Sequence, residues 1–244
     1  MIDLHTHILP GIDDGADSWE ESIEMCRLAA ADGCLGLVAT PHQRKSWPNQ
    51  DPDRLRGLVA QLQERTGPRP RIHVGGEIHV AADILEDLAR PGLGGLMPLA
   101  GGKALLLEFG LAQPMMGASA LIHELVLAGW MPVVAHPEFI PFLAEDLDLM
   151  DELVVMGARA QATAMSVTGK FGRRIQANVR EMIDRGLVHF VASDTHSSTW
   201  RPPGLSEAHD EITRRWGRAA ADRLTSYLPA ALIEGHEVPL DPLA

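Results

Sequence analysis

The amino-acid sequence predicts a single α/β domain over residues 1–244, a parallel barrel built from seven β/α units. Three observations carry this expectation. Short apolar runs alternate with amphipathic segments along the chain. A length of 244 residues suits one barrel. Nearly every predicted strand ends in a polar or ionisable residue. A closed parallel barrel gathers its strand ends on one face, whereas an open doubly wound sheet spreads them along an edge.

Strands are expected at 1–4, 35–39, 72–76, 104–108, 132–135, 160–163 and 189–193, where apolar runs are short and bounded by turn residues. Helices are expected between them at 18–32, 53–65, 81–89, 118–128, 146–156 and 173–185, with 207–216 and 219–227 after the last strand. Ser18 with Glu21 reads as a capping box opening the first helix. Gly33, Gly129, Gly157 and Gly186 each follow a helical run, where a left-handed residue commonly ends a helix. The proline-bearing tail from 229 to 242 is expected to wrap the surface.

Composition excludes several classes. Hydrophobic residues make up 45% of the chain, enough for a full core. No run approaches the ~20 apolar residues of a membrane span, and Asp3, His5 and His7 interrupt the first apolar stretch, so neither a span nor a signal peptide is expected and the cytoplasm is the default location. A formal charge of −12 without a long basic run argues against nucleic acid as a partner. Three bound divalent cations would halve that charge. Cys26 and Cys34 are too few for a disulfide framework. Neither has the arginine six residues on that a cysteine phosphatase loop needs, since positions 32 and 40 are Asp and Thr.

The chemistry lies at the strand ends. His5 and His7 share one face of an extended chain by their i, i+2 spacing. The following turn holds Asp13-Asp14-Gly15, in which a carboxylate can fold back over those histidines. Pro41 ends the second strand and directs His42. Gly75-Gly76 removes side-chain bulk beside Glu77, as a metal cluster packed against backbone requires. Glu108 closes a run of three leucines and His136 closes Val133-Val134-Ala135. A buried polar group there is costly unless paired or ligating. Asp194 and His196 repeat the i, i+2 arrangement. Each motif alone has an ordinary reading, such as an acidic turn or a chance His-x-His; together they are more ligands than one ion needs. Mixed imidazole and carboxylate donors suit Zn, Mn or Fe better than Ca or Mg. His79 reads equally as pocket or surface, Trp47, Trp200 and Phe139 as pocket wall or loop packing, and His73, His123, His189, His209 and His236 as solvated or hydrogen-bonded.

The ordered set His5-x-His7, Asp13-Asp14-Gly15, Thr40-Pro41-His42, Gly-x-Glu77, Glu108-Phe109, Ala135-His136-Pro137-Glu138 and Ser193-Asp194-x-His196 with Arg201-Pro202-Pro203 resembles the polymerase and histidinol phosphatase (PHP) superfamily. Within it the chain is most similar to the CpsB/CapC branch, the bacterial manganese-dependent tyrosine phosphatases of capsule and exopolysaccharide systems, over roughly residues 1 to 235. The resemblance implies a distorted seven-stranded (β/α) barrel of the PHP type. It implies three divalent ions, foremost Mn with Fe or Zn as alternatives. His5, His7, Glu77 and Asp194 would hold the first, Asp14, His42 and His196 the second, and Glu77, Glu108 and His136 the third, with Glu77 bridging. It implies Arg201 as a phosphate ligand. The branch usually carries a second arginine after His-x-Glu, where this chain has Phe139; Arg44 and Lys45 are candidates to supply the missing charge.

The expected reaction is metal-assisted hydrolysis of a phosphate monoester by a metal-held hydroxide, with Arg201 neutralising phosphoryl oxygens and His42 or His196 helping to protonate the leaving group. The expected partner is a tyrosine-phosphorylated protein, a kinase of polysaccharide export, with self-association left open. The rival readings are a phosphoesterase for sugar or histidinol-type phosphates and a non-catalytic metal-binding scaffold.

Overall fold

The computed structural model describes residues 1–81, 83–110 and 117–243. β1 (Ile2–Thr6) leads through α1 (Trp19–Ala31) to β2 (Gly36–Ala39). β2 stops at Thr40-Pro41 and resumes as β3 (His42–Gln43). After α2 (Pro52–Thr66), β4 (Arg71–Val74) stops at Gly75-Gly76 and resumes as β5 (Glu77–His79), which precedes α3 (Ile84–Ala89). β6 (Ala104–Glu108), α4 (Ala118–Leu127), β7 (Met131–Ala135), α5 (Pro141–Ala144) and α6 (Leu147–Val155) follow. Then come β8 (Arg159–Thr163), α7 (Ala164–Val167), α8 (Arg173–Asp184) and β9 (Phe190–Ala192). α9 (Ser206–Trp216), α10 (Arg218–Asp222) and α11 (Leu228–Ile233) close the described chain, with a π-helical turn at Arg223–Tyr227.

All strand pairs are parallel, in sheets of order β1-β2-β4 and β3-β5-β6-β7-β8-β9. Two of the expected strands, 35–39 and 72–76, are therefore followed by continuations that were not expected, β3 and β5. Proline cannot donate to a ladder, so β2 ends before Pro41. The neighbouring line bends with it, because Gly75 N donates to Ala39 O at 2.8 Å and Glu77 N to Pro41 O at 3.1 Å. Gly75 and Gly76 have a packing reason different from the one expected. A Cβ on Gly76 would lie 2.2 Å from Gln43 Oε1 and one on Gly75 2.9 Å from Val38 Cγ1. The space serves the Gln43 amide, which donates to Asn49 O and Gly95 O and accepts from Met97 N. The six-stranded sheet returns to β1: Asp194 N donates to His5 O and His7 N to Thr195 O, both at 2.9 Å. Ser193 N donates to Asp3 Oδ1 at 3.0 Å along the same seam.

The helices pack around these strands with the expected ends. All four helix-ending glycines have positive φ, from +70° at Gly186 to +119° at Gly157. Ser18 Oγ accepts from Glu21 N at 3.2 Å, which is half of a capping box. The Glu21 carboxylate is used elsewhere, accepting from Ser198 N at 2.7 Å and from the Ser197 and Ser198 hydroxyls. Asp32, at the other end of α1, accepts from Leu205 N and Ser206 N. The first helix thereby grips both ends of the 197–206 loop. The expected helix 81–89 begins at Ile84, with Ala82 outside the described residues. The expected helix 219–227 becomes α10 and the π-helical turn, continuing as α11. Pro229 sits in α11, directly after the π-helical turn, rather than in an extended tail. Among the described residues no helix is long and apolar enough to cross a membrane.

Beyond α11 the chain is held by polar contacts. Arg159 donates to Val238 O, and His189 Nε2 donates to Leu240 O at 3.0 Å while Nδ1 accepts from Ala160 N. Those partners require a neutral ring. Burial first, and the Arg159 charge second, lower the His189 pKa to about 4. The unfolded chain protonates near 6.5 and so binds the extra proton between about pH 6.5 and 4. Stability from this residue is intact above pH 6.5 and is lost as pH falls through that window, about 2 kcal/mol of it by pH 5. His189→Gln should therefore show a smaller fall in Tm between pH 7 and pH 5 than the parent chain. Equal falls would remove His189 from the acid response.

Candidate metal centre

The strand ends bring the nine candidate ligands into one cluster. Both histidines of β1 and its following residue reach Glu77: His5 Nε2 is 3.2 Å and His7 Nε2 3.3 Å from Glu77 Oε2. They stand 3.3 and 3.4 Å from Asp194 Oδ1. His42 Nδ1 is 2.9 Å from the same Glu77 oxygen, and His136 Nε2 is 2.9 Å from Oε1. Asp14 Oδ1 faces His42 Nε2 at 3.3 Å and His196 Nε2 at 3.5 Å. Glu108 Oε2 lies 3.8 Å from His42 Nδ1 and 3.2 Å from His79 Nδ1, so His79 lines the pocket. Ligand atoms fall within 4.8 Å of one another in three groups: His5, His7 and Glu77; His7, Asp14, His42 and His196; and His42, Glu77 and Glu108.

The backbone serves this convergence at a cost. His136 and Asp194 have φ of +35° and +52°. Left-handed backbone costs a non-glycine residue about 1–2 kcal/mol and persists where surrounding structure over-determines it. Gly15 permits the close turn after β1, since a Cβ there would lie 2.1 Å from His7 O.

Side chains behind the cluster orient its rings. His5 Nδ1 is 2.8 Å from Gln161 Oε1 and His7 Nδ1 is 2.9 Å from Asp13 Oδ2. His196 Nδ1 is 2.9 Å from Asp194 O. With Nδ1 donating in each case, Nε2 is the ring atom turned into the cluster. Asp13 also accepts from Gly15 N and His42 N, so of two adjacent aspartates one faces the cluster and the other supports it. Gln161 lies in a fully buried strand between alanines, and a lone amide there was its only signal in the sequence.

The electrostatics call for cations. Burial opposes a charged Glu77, yet His5, His136 and His42 hold its pKa well below the usual carboxylate range. Burial likewise opposes charge on Asp194, which His5, His7 and Arg201 hold low. Hydrogen bonds from His196 and His42 depress Asp14. Against burial, Asp13 raises His7 well above the imidazole range, Asp14 and Glu77 raise His42 to about 10, and Glu77 raises His136 to about 9. Protons on these rings balance the carboxylates, a role that divalent cations fill when ligands bind deprotonated. Glu77 Oε2 is buried and accepts no well-aligned hydrogen bond despite three ring nitrogens around it. An orphaned carboxylate oxygen among imidazoles fits a bridging ligand, and the donor set fits a transition metal.

The cluster floors a cavity of about 330 Å³ whose wall includes Phe139, Phe171 and Arg201. Arg201 NH2 donates to Asp194 Oδ2. Arg44 is bound to Asp83 and Asp87, while Lys45 is exposed beside Asp14, His42 and Trp47 in a neighbouring cavity of about 180 Å³. Trp47 stacks on His42 at 6.3 Å and Trp200 packs on His196 at 6.0 Å. Phe171 was not anticipated, because a single phenylalanine in a glycine-bounded turn carries no polar signal. The cysteines are buried, and burial pushes Cys26 up to about 12, which leaves it inert as a nucleophile.

Comparison with known proteins agrees with this picture. The family described as capsular polysaccharide synthesis, CpsB/CapC, matches residues 1–234. The tyrosine-protein phosphatase YwqE of Bacillus subtilis is 35% identical over 98% of this chain and 91% of its own. The putative tyrosine-protein phosphatase CapC of Staphylococcus aureus is 33% identical over 93% and 88%. A crystal structure from work on YwqE of Bacillus subtilis and CpsB of Streptococcus pneumoniae, described as unique metal-dependent tyrosine phosphatases, superposes with a TM-score of 0.87 at 32% identity, covering 98% of this chain and 96% of that one. With its strand-end motifs assembled at one site and residues 1–234 matched, this chain belongs to the CpsB/CapC family.

Proposed function

We infer that this chain is a metal-dependent phosphomonoesterase that hydrolyses phosphotyrosine on protein, its partner a tyrosine kinase of polysaccharide export in the cytoplasm. The observation that carries the reading is the clustering of nine imidazole and carboxylate side chains with Glu77 among them, four of the rings standing at its carboxylate, and Arg201 at the wall of the same cavity. Three divalent ions, Mn foremost, are held by His5, His7, Glu77 and Asp194, by Asp14, His42 and His196, and by Glu77, Glu108 and His136. The proximity groups contain His5, His7 and Glu77 of the first set, without Asp194, and all of the second set with His7 added. His42, rather than His136, completes the group around Glu77 and Glu108, so His42 stands between two sets.

Bound there, divalent cations lower the pKa of water and neutralise phosphoryl charge. Arg201 supplies a charge-assisted hydrogen bond to a phosphoryl oxygen from the wall. His42 and His196 flank Asp14, and as ligands with their other ring nitrogens at Glu77 and Asp194 O they have no free proton to give, so the tyrosyl oxygen, a good leaving group, departs without one from them. The aromatic pair Phe139 and Phe171 favours an aryl ester over a sugar phosphate, since a phenyl wall gains by burying a ring and offers no partner to sugar hydroxyls. Elemental analysis of carefully prepared protein should give three divalent ions per chain. A panel of phosphotyrosine peptide, phosphoserine peptide and sugar phosphates should give the highest kcat/KM on phosphotyrosine. One ion or none, with no gain of activity on adding Mn, overturns the metal assignment; preference for sugar phosphates overturns the substrate.

A further inference from the structure

The geometry points to Phe171 as a positioning residue for Arg201, resting on the reading above that Arg201 binds the phosphoryl group. Among the described residues Arg201 has one ionic partner, Asp194, to which NH2 donates, and its buried Nε has no hydrogen-bond partner. One contact at one end of a guanidinium leaves the plane free to swing. Asp194 is also shared with His5 and His7, so cations bound there compete for the same carboxylate. The second restraint is aromatic: the Arg201 Cζ lies 5.5 Å from the centre of the Phe171 ring. A ring face attracts a guanidinium at this range, more strongly where water is excluded. The attraction does not draw on the carboxylates that the metals need.

Phe171 is itself held. Its turn, between α7 and α8, is closed by Lys170 N donating to Met165 O and Gly172 N donating to Gly169 O. Phe139 meets the Phe171 ring edge-to-face at 5.2 Å and 80°, and packs against His136 at 5.9 Å. A continuous line of rings therefore runs from a candidate ligand to the phosphate-binding cation. The residue that stands in place of the family's second arginine supports the arginine that remains, without adding another charge near a polycationic centre.

The test is a double-mutant cycle on p-nitrophenyl phosphate, with inorganic phosphate binding measured by calorimetry and metal content determined for each variant. Phe171→Leu should lower kcat/KM about tenfold and weaken phosphate binding by a similar factor, with metal content unchanged. Phe171→Trp should recover to within about threefold, because its ring also binds cations. In an Arg201→Ala background, Phe171→Leu should cost less than about twofold. An equal loss in both backgrounds, or unchanged phosphate affinity, overturns the inference. Should Phe171→Leu not fold, Phe171→Met and Phe171→Trp form the same comparison. Phosphate affinity is read without turnover, so a chain that binds phosphate through Arg201 but hydrolyses no ester would sink the phosphatase reading alone.

Discussion

Replacing Glu77 with glutamine should abolish hydrolysis. Glu77 is 1% exposed and sits at the centre of the cluster, with His136 on one oxygen and His5, His7 and His42 around the other. Glutamine keeps the shape and removes the charge. It also turns one carboxylate oxygen into an N–H donor facing the ring nitrogens. Breaking a buried charge pair from one side costs about 3–5 kcal/mol, which corresponds to about 10²–10⁴ in rate where the lost interaction acts in the transition state. His79→Ala should cost less than about tenfold, since His79 contacts the cluster through Glu108 alone among the candidate ligands. The measurement is kcat/KM on an aryl phosphate together with bound metal. Near-normal turnover of Glu77→Gln removes Glu77 from the bridging role.

Arg201→Ala should lower kcat/KM on an aryl phosphate roughly tenfold to a hundredfold, because a hydrogen bond to a charged group contributes about 1.5–3 kcal/mol. Phe139→Arg should raise kcat/KM on phosphotyrosine peptide if its guanidinium reaches the phosphate, although it also removes the ring that packs on Phe171. Arg44→Ala separates the alternatives. Arg44 is bound to Asp83 and Asp87, so its expected role is to fix the loop after β3, with a smaller kinetic effect. If Arg201→Ala leaves the rate unchanged and Arg44→Ala collapses it, the phosphate is held from that loop and Arg201 is not its ligand.

The candidate ligands were legible because an ionisable residue closing an apolar strand has few ways to be satisfied. Glu108 after three leucines and His136 after Val133-Val134-Ala135 carry that signal without any knowledge of partners. The features that were not legible depend on residues far along the chain. Glu21 looked like a local cap, yet its carboxylate serves Ser197 and Ser198. Pro41 marked a strand end, but the resumption of pairing at His42 and Gln43 depends on β5, placed there by another kink. Pro229 is compatible with either an irregular tail or a helix start, and the packing of α11 against the barrel decides between them. Phe171 has no polar atom to betray a role, and its importance arises only from the two side chains it meets.

The seam between β9 and β1 has a consequence for biosynthesis. His5 leaves the ribosome 189 residues ahead of Asp194, and His196 and Arg201 come later still. Until then the two histidines lack the Asp194 carboxylate that stands 3.3 and 3.4 Å from their rings, and β1 lacks one of its neighbours. Contacts of such long sequence separation form late and slowly. A product terminated before Asp194 therefore carries the two histidines without that carboxylate. A chain stopped before residue 190 should fail to retain divalent metal on gel filtration, whereas the full chain retains it; tight retention by the short chain would mean that the amino-terminal ligands suffice by themselves.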